Sequence, residues 1–306
     1  MKKIGIFIGL TFILTWGVAF GLMASGGYSN PSAMLIIAVC MFIPAISAII
    51  TAFITKEGFK GLWIKPNLKG NIKYYLIAWF LPAILIILGA GIYYLIFPKN
   101  FDGNMTYMIN ATKDQLANAG QTVLSDSQIK SALITQLVIG LLIAPIVNFV
   151  TCLGEELGWR GYLLPNLCEK YSKVSAVIIT GVIWGIWHAP MIAMGHNYGL
   201  GYPTAPWGGI IAMIIFCIFV GAILSYVTLK TKSSLPAAIG HGMINGYASV
   251  GVMFSSIESP NLFIGPLPIG IIGGIGFIIA GSICLLLISK MKKETVNEYL
   301  LESQII

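Results

Sequence analysis

The sequence predicts an all-α polytopic membrane protein, about eight transmembrane helices surrounding an intramembrane polar site, and three observations predict it. The 306-residue chain is 57% hydrophobic and only 9% charged, with a mean hydropathy of +0.87, whereas soluble domains carry roughly 25% charged residues. A soluble core cannot absorb so much apolar surface, so the excess must face lipid. Apolar runs of the roughly 20 residues needed to cross a bilayer recur along the chain. The lysines, finally, are concentrated in alternate segments between those runs. The whole of 1–306 therefore reads as a single integral membrane domain.

The spans are expected at about 4–25, 33–54, 74–97, 134–163, 174–194, 208–229, 235–254 and 263–289. The first begins Met1-Lys2-Lys3 and ends near Ala24-Ser25-Gly26. Its apolar stretch exceeds the roughly 7 to 15 residues of a secretory h-region, so a retained anchor is expected rather than a cleaved leader. Residues 55–73 mix lysines with Phe59, Leu62, Trp63 and Ile64, the composition of a segment lying in the membrane interface. The stretch of about 98–133, with Asn104, Asp114, Gln115 and Asp126, is expected to be an extracytoplasmic polar loop containing a short helix and no chemistry. The tail of about 290–306 alternates charge with Val296, Leu300 and Leu301 and is expected to form a cytoplasmic surface helix.

An even number of spans puts both termini on one side. To that side fall Lys2, Lys3, Lys56, Lys60, Lys65, Lys69 and Lys73, then Lys170, Lys173, Lys230, Lys232, Lys290, Lys292 and Lys293, which together are 14 of the 18 basic residues. The other side holds Lys99, Lys113 and Lys130, all in the long polar loop. The positive-inside rule then predicts a multi-pass protein of the cell membrane with both termini cytoplasmic. The same topology accounts for the net charge of +7, so lipid rather than nucleic acid is the expected partner. Nothing in the pattern sets an oligomeric state.

Five scattered cysteines, with no C-x-x-C pair, read as small buried hydrophobes and not as a disulfide or zinc framework. No Walker A loop, dinucleotide fingerprint or Ser/His/Asp context is present.

An ionisable residue deep in a span is costly, so its presence points to function. The fourth run continues through Gly154-Glu155-Glu156-Leu157-Gly158-Trp159-Arg160, which contains two adjacent carboxylates and the lone arginine of the chain. Glu156 and Arg160 are four apart and share a helix face. Glu155 is turned by about 100° and needs another partner. Two like charges side by side in low dielectric cannot easily both ionise, which suits one of them to general-base chemistry; a helix-stitching ion pair is the competing structural reading. The fifth run carries Trp184-Gly185-Ile186-Trp187-His188, and the seventh carries His241 and Asn245, again four apart. Counted from the lysine-rich ends, Glu155, His188 and His241 sit very roughly 10 to 20 Å into the membrane, so three helices present acid, imidazole and amide at similar depth. His196, in Gly195-His196-Asn197, reads as a loop residue.

At these positions the sequence resembles the CAAX protease and bacteriocin-processing family, the Abi or type II CAAX prenyl endopeptidase group. The resemblance is carried by Glu155-Glu156-x-x-Trp159-Arg160, by an aromatic residue four before His188, and by His241-x-x-x-Asn245, over about 140–255. Phenylalanine is usual where this chain has Trp184, which should line the same pocket. The resemblance implies an eight-helix fold and an intramembrane endopeptidase in which Glu155, helped by His188, activates water. It further implies that His241 and Asn245 stabilise the oxyanion, with Glu156 and Arg160 supporting. It leaves open a zinc ion on Glu155, His188 and His241, since family members are also called metalloproteases, and the balance of the residues favours hydrolysis without an obligatory metal. The implied substrate is a lipidated or membrane-associated protein or peptide, admitted by a water-filled cavity open toward the cytoplasm. The alternatives are a non-proteolytic immunity or regulatory protein of the same fold, as in bacteriocin self-immunity, and a proton-coupled transporter, which would call for inverted repeats that the sequence does not show.

Overall fold

The computed structural model describes residues 1–59, 61–258 and 260–291; the expected tail helix, from residue 292 onward, lies outside them, as does Lys60. Among the described residues there is no β-strand, only one isolated bridge between Phe101 and Ser255. The polytopic helical class holds. Among the described residues five helical runs are long and apolar enough to cross a membrane. They are α1 (Lys2–Ala24), the pair α2 (Ala33–Cys40) and α3 (Ile43–Ile54), α4 (Ile72–Ile96), α6 (Asp126–Val147) and, late in the chain, α11 (Trp207–Thr231). Side chains such as Ile13, Leu95 and Val147 stand more than 70% exposed, which in a helix of this composition means facing lipid.

The remaining predicted spans are interrupted, and each interruption has a local cause. The run of 134–163 is two helices. The first, α6, starts early, at Asp126, because Ser125 and Gln128 form a reciprocal capping box, their side chains bonding each other's backbone N–H. It ends at Val147, after Pro145 in its last turns, and α7 (Phe149–Gly158) follows. The run of 174–194 is α9 (Lys173–Trp187) and α10 (Ala189–Ala193), parted at His188 where Pro190 restarts the helix. The run of 235–254 is α12 (Leu235–Tyr247) and a 3₁₀ turn, Ala248–Phe254. In the run of 263–289 only α13 (Ile275–Ser289) is helical; Pro266 and Pro268 with four nearby glycines keep 263–274 irregular. The polar loop holds the short helix expected of it, α5 (Thr106–Asn118).

Contacts sort the connecting segments to two ends of the bundle. At one end Lys3 bridges Glu57 and Glu169 at 3.2 and 3.4 Å. There the 61–68 segment is sewn onto the bundle: the Trp63 N–H donates to the Gly161 carbonyl, the Ser234 N–H to the Trp63 carbonyl, and the Asn67 amide to the Thr231 carbonyl. At the other end the Asp102 N–H donates to the Phe254 carbonyl, the Tyr198 hydroxyl to the Ile269 carbonyl, and Tyr202 stacks on Phe263. The lysine-rich segments thus share one end, and within the segment of 55–73 residues 61–68 are hydrogen-bonded to the bundle there.

Helix packing is close because glycines face backbone. A Cβ on Gly158 of α7 would sit 2.4 to 2.8 Å from Pro44 of α3, and one on Gly281 would meet the Phe219 backbone at 2.5 Å. Small residues at such crossings are what allow helices to associate within lipid. Gly158→Ala should therefore cost about 1 to 3 kcal/mol by overpacking, measured as a lower unfolding temperature in detergent. Gly5→Ala on α1, where a Cβ meets nothing within 4 Å, should leave that temperature unchanged or raise it.

Candidate active site

The site is assembled by α7, α9 and α12. Gly154 lets α7 approach the α2–α3 junction, where an added Cβ would lie 2.8 Å from the Met41 carbonyl. Gly185 brings α9 against Ile214 of α11 in the same way. After Gly158 the chain widens into a π turn, Trp159–Leu163, before α8 (Leu164–Cys168). Such turns are uncommon and often mark functional positions.

The two adjacent carboxylates have different partners. One oxygen of Glu156, Oε1, accepts from Arg160 Nη1 at 3.0 Å and from His241 Nδ1 at 2.9 Å. Glu156 and Arg160 are fully buried, and His241 is 6% exposed. The Arg160 guanidinium also lies over the Trp184 ring, 4.3 Å from its centre. Gly221 leaves room for it, since a Cβ there would sit 2.9 Å from Nη2. Glu155 takes no part in that ion pair. Its Oε2 accepts instead from Trp184 Nε1 at 2.8 Å, which is the separate partner that the helix geometry demanded.

His188 Nδ1 lies 2.8 Å from the Trp184 carbonyl oxygen. A carbonyl only accepts, so Nδ1 carries the hydrogen and Nε2 keeps a lone pair. Asn245 is exposed, and its amide donates to Cys152 Sγ at 3.6 Å, a weak acceptor easily given up. Trp184 touches the whole group: it bonds Glu155, covers Arg160, and meets the His241 ring edge-on at 5.3 Å.

A cavity of about 350 Å³ opens among these helices, and Glu155, Trp184, His188, His241 and Asn245 line it. Glu156 and Arg160 lie behind its wall. His196, in the turn that follows α10, lines it too, so the loop reading of this residue holds and its ring also borders the cavity. Its Nδ1 accepts from the Tyr28 hydroxyl, and the two rings stack with 9° between their planes. Burial pushes the His196 pKa down to about 4, so it is neutral at pH 7. Sequence reasoning also missed the indole N–H of Trp184 as a partner of Glu155; the departure from phenylalanine at that position was the available signal.

None of the five cysteines is in a disulfide, and all but the half-buried Cys168 are buried. Among the described residues no three His, Cys, Asp or Glu side chains are grouped as a metal would require. His241 turns Nδ1 to Glu156, and His188 turns Nδ1 to a backbone carbonyl. Both contacts leave Nε2 as the ring nitrogen that could face a cation, and no step below is routed through a metal.

Residues 130–247, which contain every one of these site residues, match a known family, described as Type II CAAX prenyl endopeptidase Rce1-like. The segment 130–247 is thus similar to that family. In addition, 93 residues of the chain are 36% identical to the CAAX prenyl protease 2 of Methanococcus maripaludis, a match over 30% of this chain and 34% of that protein. The match thus spans about a third of the length of this curated relative. The family resemblance read from the three motifs holds within the Rce1-like segment.

Removing one member of the buried ion pair isolates a charge. Glu156→Ala should cost about 3 to 5 kcal/mol, read as a depressed unfolding temperature in detergent. A double replacement, Glu156→Met with Arg160→Met, should recover most of that loss. A single variant as stable as the parent chain would contradict the assignment of Glu156 as the neutralised carboxylate.

Proposed function

We propose that the protein is a multi-pass intramembrane endopeptidase that hydrolyses a peptide bond near the C-terminus of a lipidated or membrane-associated protein or peptide. The observation that carries this reading is the division of labour between the carboxylates. Glu156 is neutralised behind the wall, while Glu155 faces the cavity together with His188, His241 and Asn245. The Rce1-like match and the printed name of the archaeal relative support the same reaction class. The membrane is taken as the cell membrane, with the lysine-rich end and both termini cytoplasmic.

In the proposed step a water molecule is held between the Glu155 carboxylate and His188 Nε2. Its oxygen attacks the scissile carbonyl carbon while Glu155 accepts its proton. The carbonyl π electrons move onto oxygen, and the oxyanion accepts hydrogen bonds from Asn245 and His241. Because His241 gives its Nδ1–H to Glu156, it donates from Nε2 as the imidazolium, with Glu156 as counter-charge. Collapse of the tetrahedral species breaks the C–N bond, and Glu155 returns the proton to the leaving amine. Water has then been added across the bond, and the site is restored.

Cleavage of quenched fluorescent peptides, prenylated and plain, by purified protein tests the proposal. Glu155→Ala and His188→Ala should each lose at least about 100-fold, and Asn245→Ala about 100- to 1,000-fold, with chelator leaving the parent rate unchanged. Parental turnover in Glu155→Ala would sink it. Turnover abolished by chelator and restored by zinc would replace the metal-free step.

A further inference from the structure

One residue is bonded to both groups between which the water is placed. His188 lies four residues beyond Trp184, and its Nδ1–H donates to the Trp184 backbone carbonyl at 2.8 Å. The Trp184 side chain donates its Nε1–H to Glu155 Oε2, also at 2.8 Å. The carboxylate comes from α7 and the imidazole from the end of α9, so their mutual placement depends on how two helices pack. Trp184 ties them together through its own two polar groups, one on the side chain and one on the backbone.

The indole is itself held in place. It is 3% exposed, and the rings of His241 and His188 stand 5.3 and 5.9 Å from it. The Arg160 guanidinium lies over its face, 4.3 Å from the ring centre, where a cation is attracted to the π system. Arg160 is fixed in turn by Glu156 at 3.0 Å. Contacts thus run unbroken from the neutralised carboxylate to the available one, through Arg160 and Trp184.

Other indoles of the chain show what a purely structural bond looks like. Trp16 donates to the Trp187 carbonyl, Trp79 to the Leu141 carbonyl and Trp187 to the Thr15 hydroxyl. Each ties one helix to another through a neutral acceptor. A tie between α7 and α9 needs nothing more, and burying a carboxylate to serve as acceptor is costly. A donor set on a carboxylate does something further, because a charge-assisted bond fixes the orientation of the whole group.

We infer that Trp184 is a positioning residue for the general base. Its indole N–H holds Glu155 Oε2, so that Oε1 receives the proton of the attacking water and returns it to the leaving amine. The indole hydrogen stays on nitrogen throughout, and the Trp184 carbonyl keeps the His188 ring turned with Nε2 toward the same water. This role rests on the hydrolase reading and adds to it the device that aims the base.

Two replacements separate the bond from the shape of the ring. Trp184→Phe keeps an aromatic ring and the backbone carbonyl and removes the donor. Benzothienylalanine in place of Trp184, installed by stop-codon suppression, keeps the full bicyclic outline and exchanges the N–H for sulfur. Both should lower kcat on the fluorescent peptide about 10- to 100-fold, the scale of a misplaced reacting group, and leave KM little changed. Parental kcat in the benzothienylalanine protein overturns the inference, as does a loss carried by KM alone. Indole ¹⁵N–¹H spectra of tryptophan-labelled protein in detergent read the bond without any substrate. The Trp184 proton signal, assigned by its disappearance in Trp184→Phe, should move upfield in Glu155→Ala. An active parent chain with an unmoved signal overturns this role alone, whereas a parent chain that cuts no peptide overturns the hydrolase reading and this role with it.

Discussion

Two adjacent carboxylates in the interior of a lipid-embedded bundle impose the condition on which the rest depends. Both are buried, and both ionised side by side would repel in a medium that screens poorly. The chain meets the condition asymmetrically. Arg160 and His241 converge on one oxygen of Glu156, while Glu155 accepts from a neutral donor, the indole of Trp184. The asymmetry follows from helix periodicity, since residues 155 and 156 face different directions and only 156 has a cation four residues on. What would be a liability in a structural helix becomes one anchored and one available carboxylate.

Holding that arrangement needs close helices and interrupted ones. Glycines at 154, 158 and 185 bring α7 and α9 against their neighbours' backbones, and Gly221 clears space for the guanidinium. The break at His188 matters equally. Because α9 ends there, the ring bonds the carbonyl of its own preceding turn and leaves its second nitrogen to the cavity. Irregular backbone at membrane depth is tolerated where it is buried in protein or lines a cavity, and both π turn and helix break lie against the site.

Much of this was legible in the sequence because it follows from local rules. Composition fixed the solvent, the lysines marked one end, and i, i+4 spacing paired Glu156 with Arg160. The convergence of Glu155, His188, His241 and Asn245 could be anticipated only as a coincidence of depth. The contents of the third dimension were not legible. Which carboxylate His241 would choose, and that Trp184 would lie between the ion pair and the cavity, depend on packing across helices. The interrupted spans escaped hydropathy because prolines and glycines inside apolar runs do not lower it. His196 does lie in a loop, but its contact with Tyr28 joins segments 168 residues apart and leaves no local signal.

The most direct measurement of the central claim is an experimental structure of the protein in lipid with a peptide phosphonate, whose tetrahedral phosphorus imitates the hydrolytic intermediate. The account predicts phosphonate oxygens within hydrogen-bond distance of Glu155 and of Asn245 or His241, with Glu156 still on Arg160. A phosphonate seated on Glu156, or bound outside the cavity with Glu155 untouched, would contradict it.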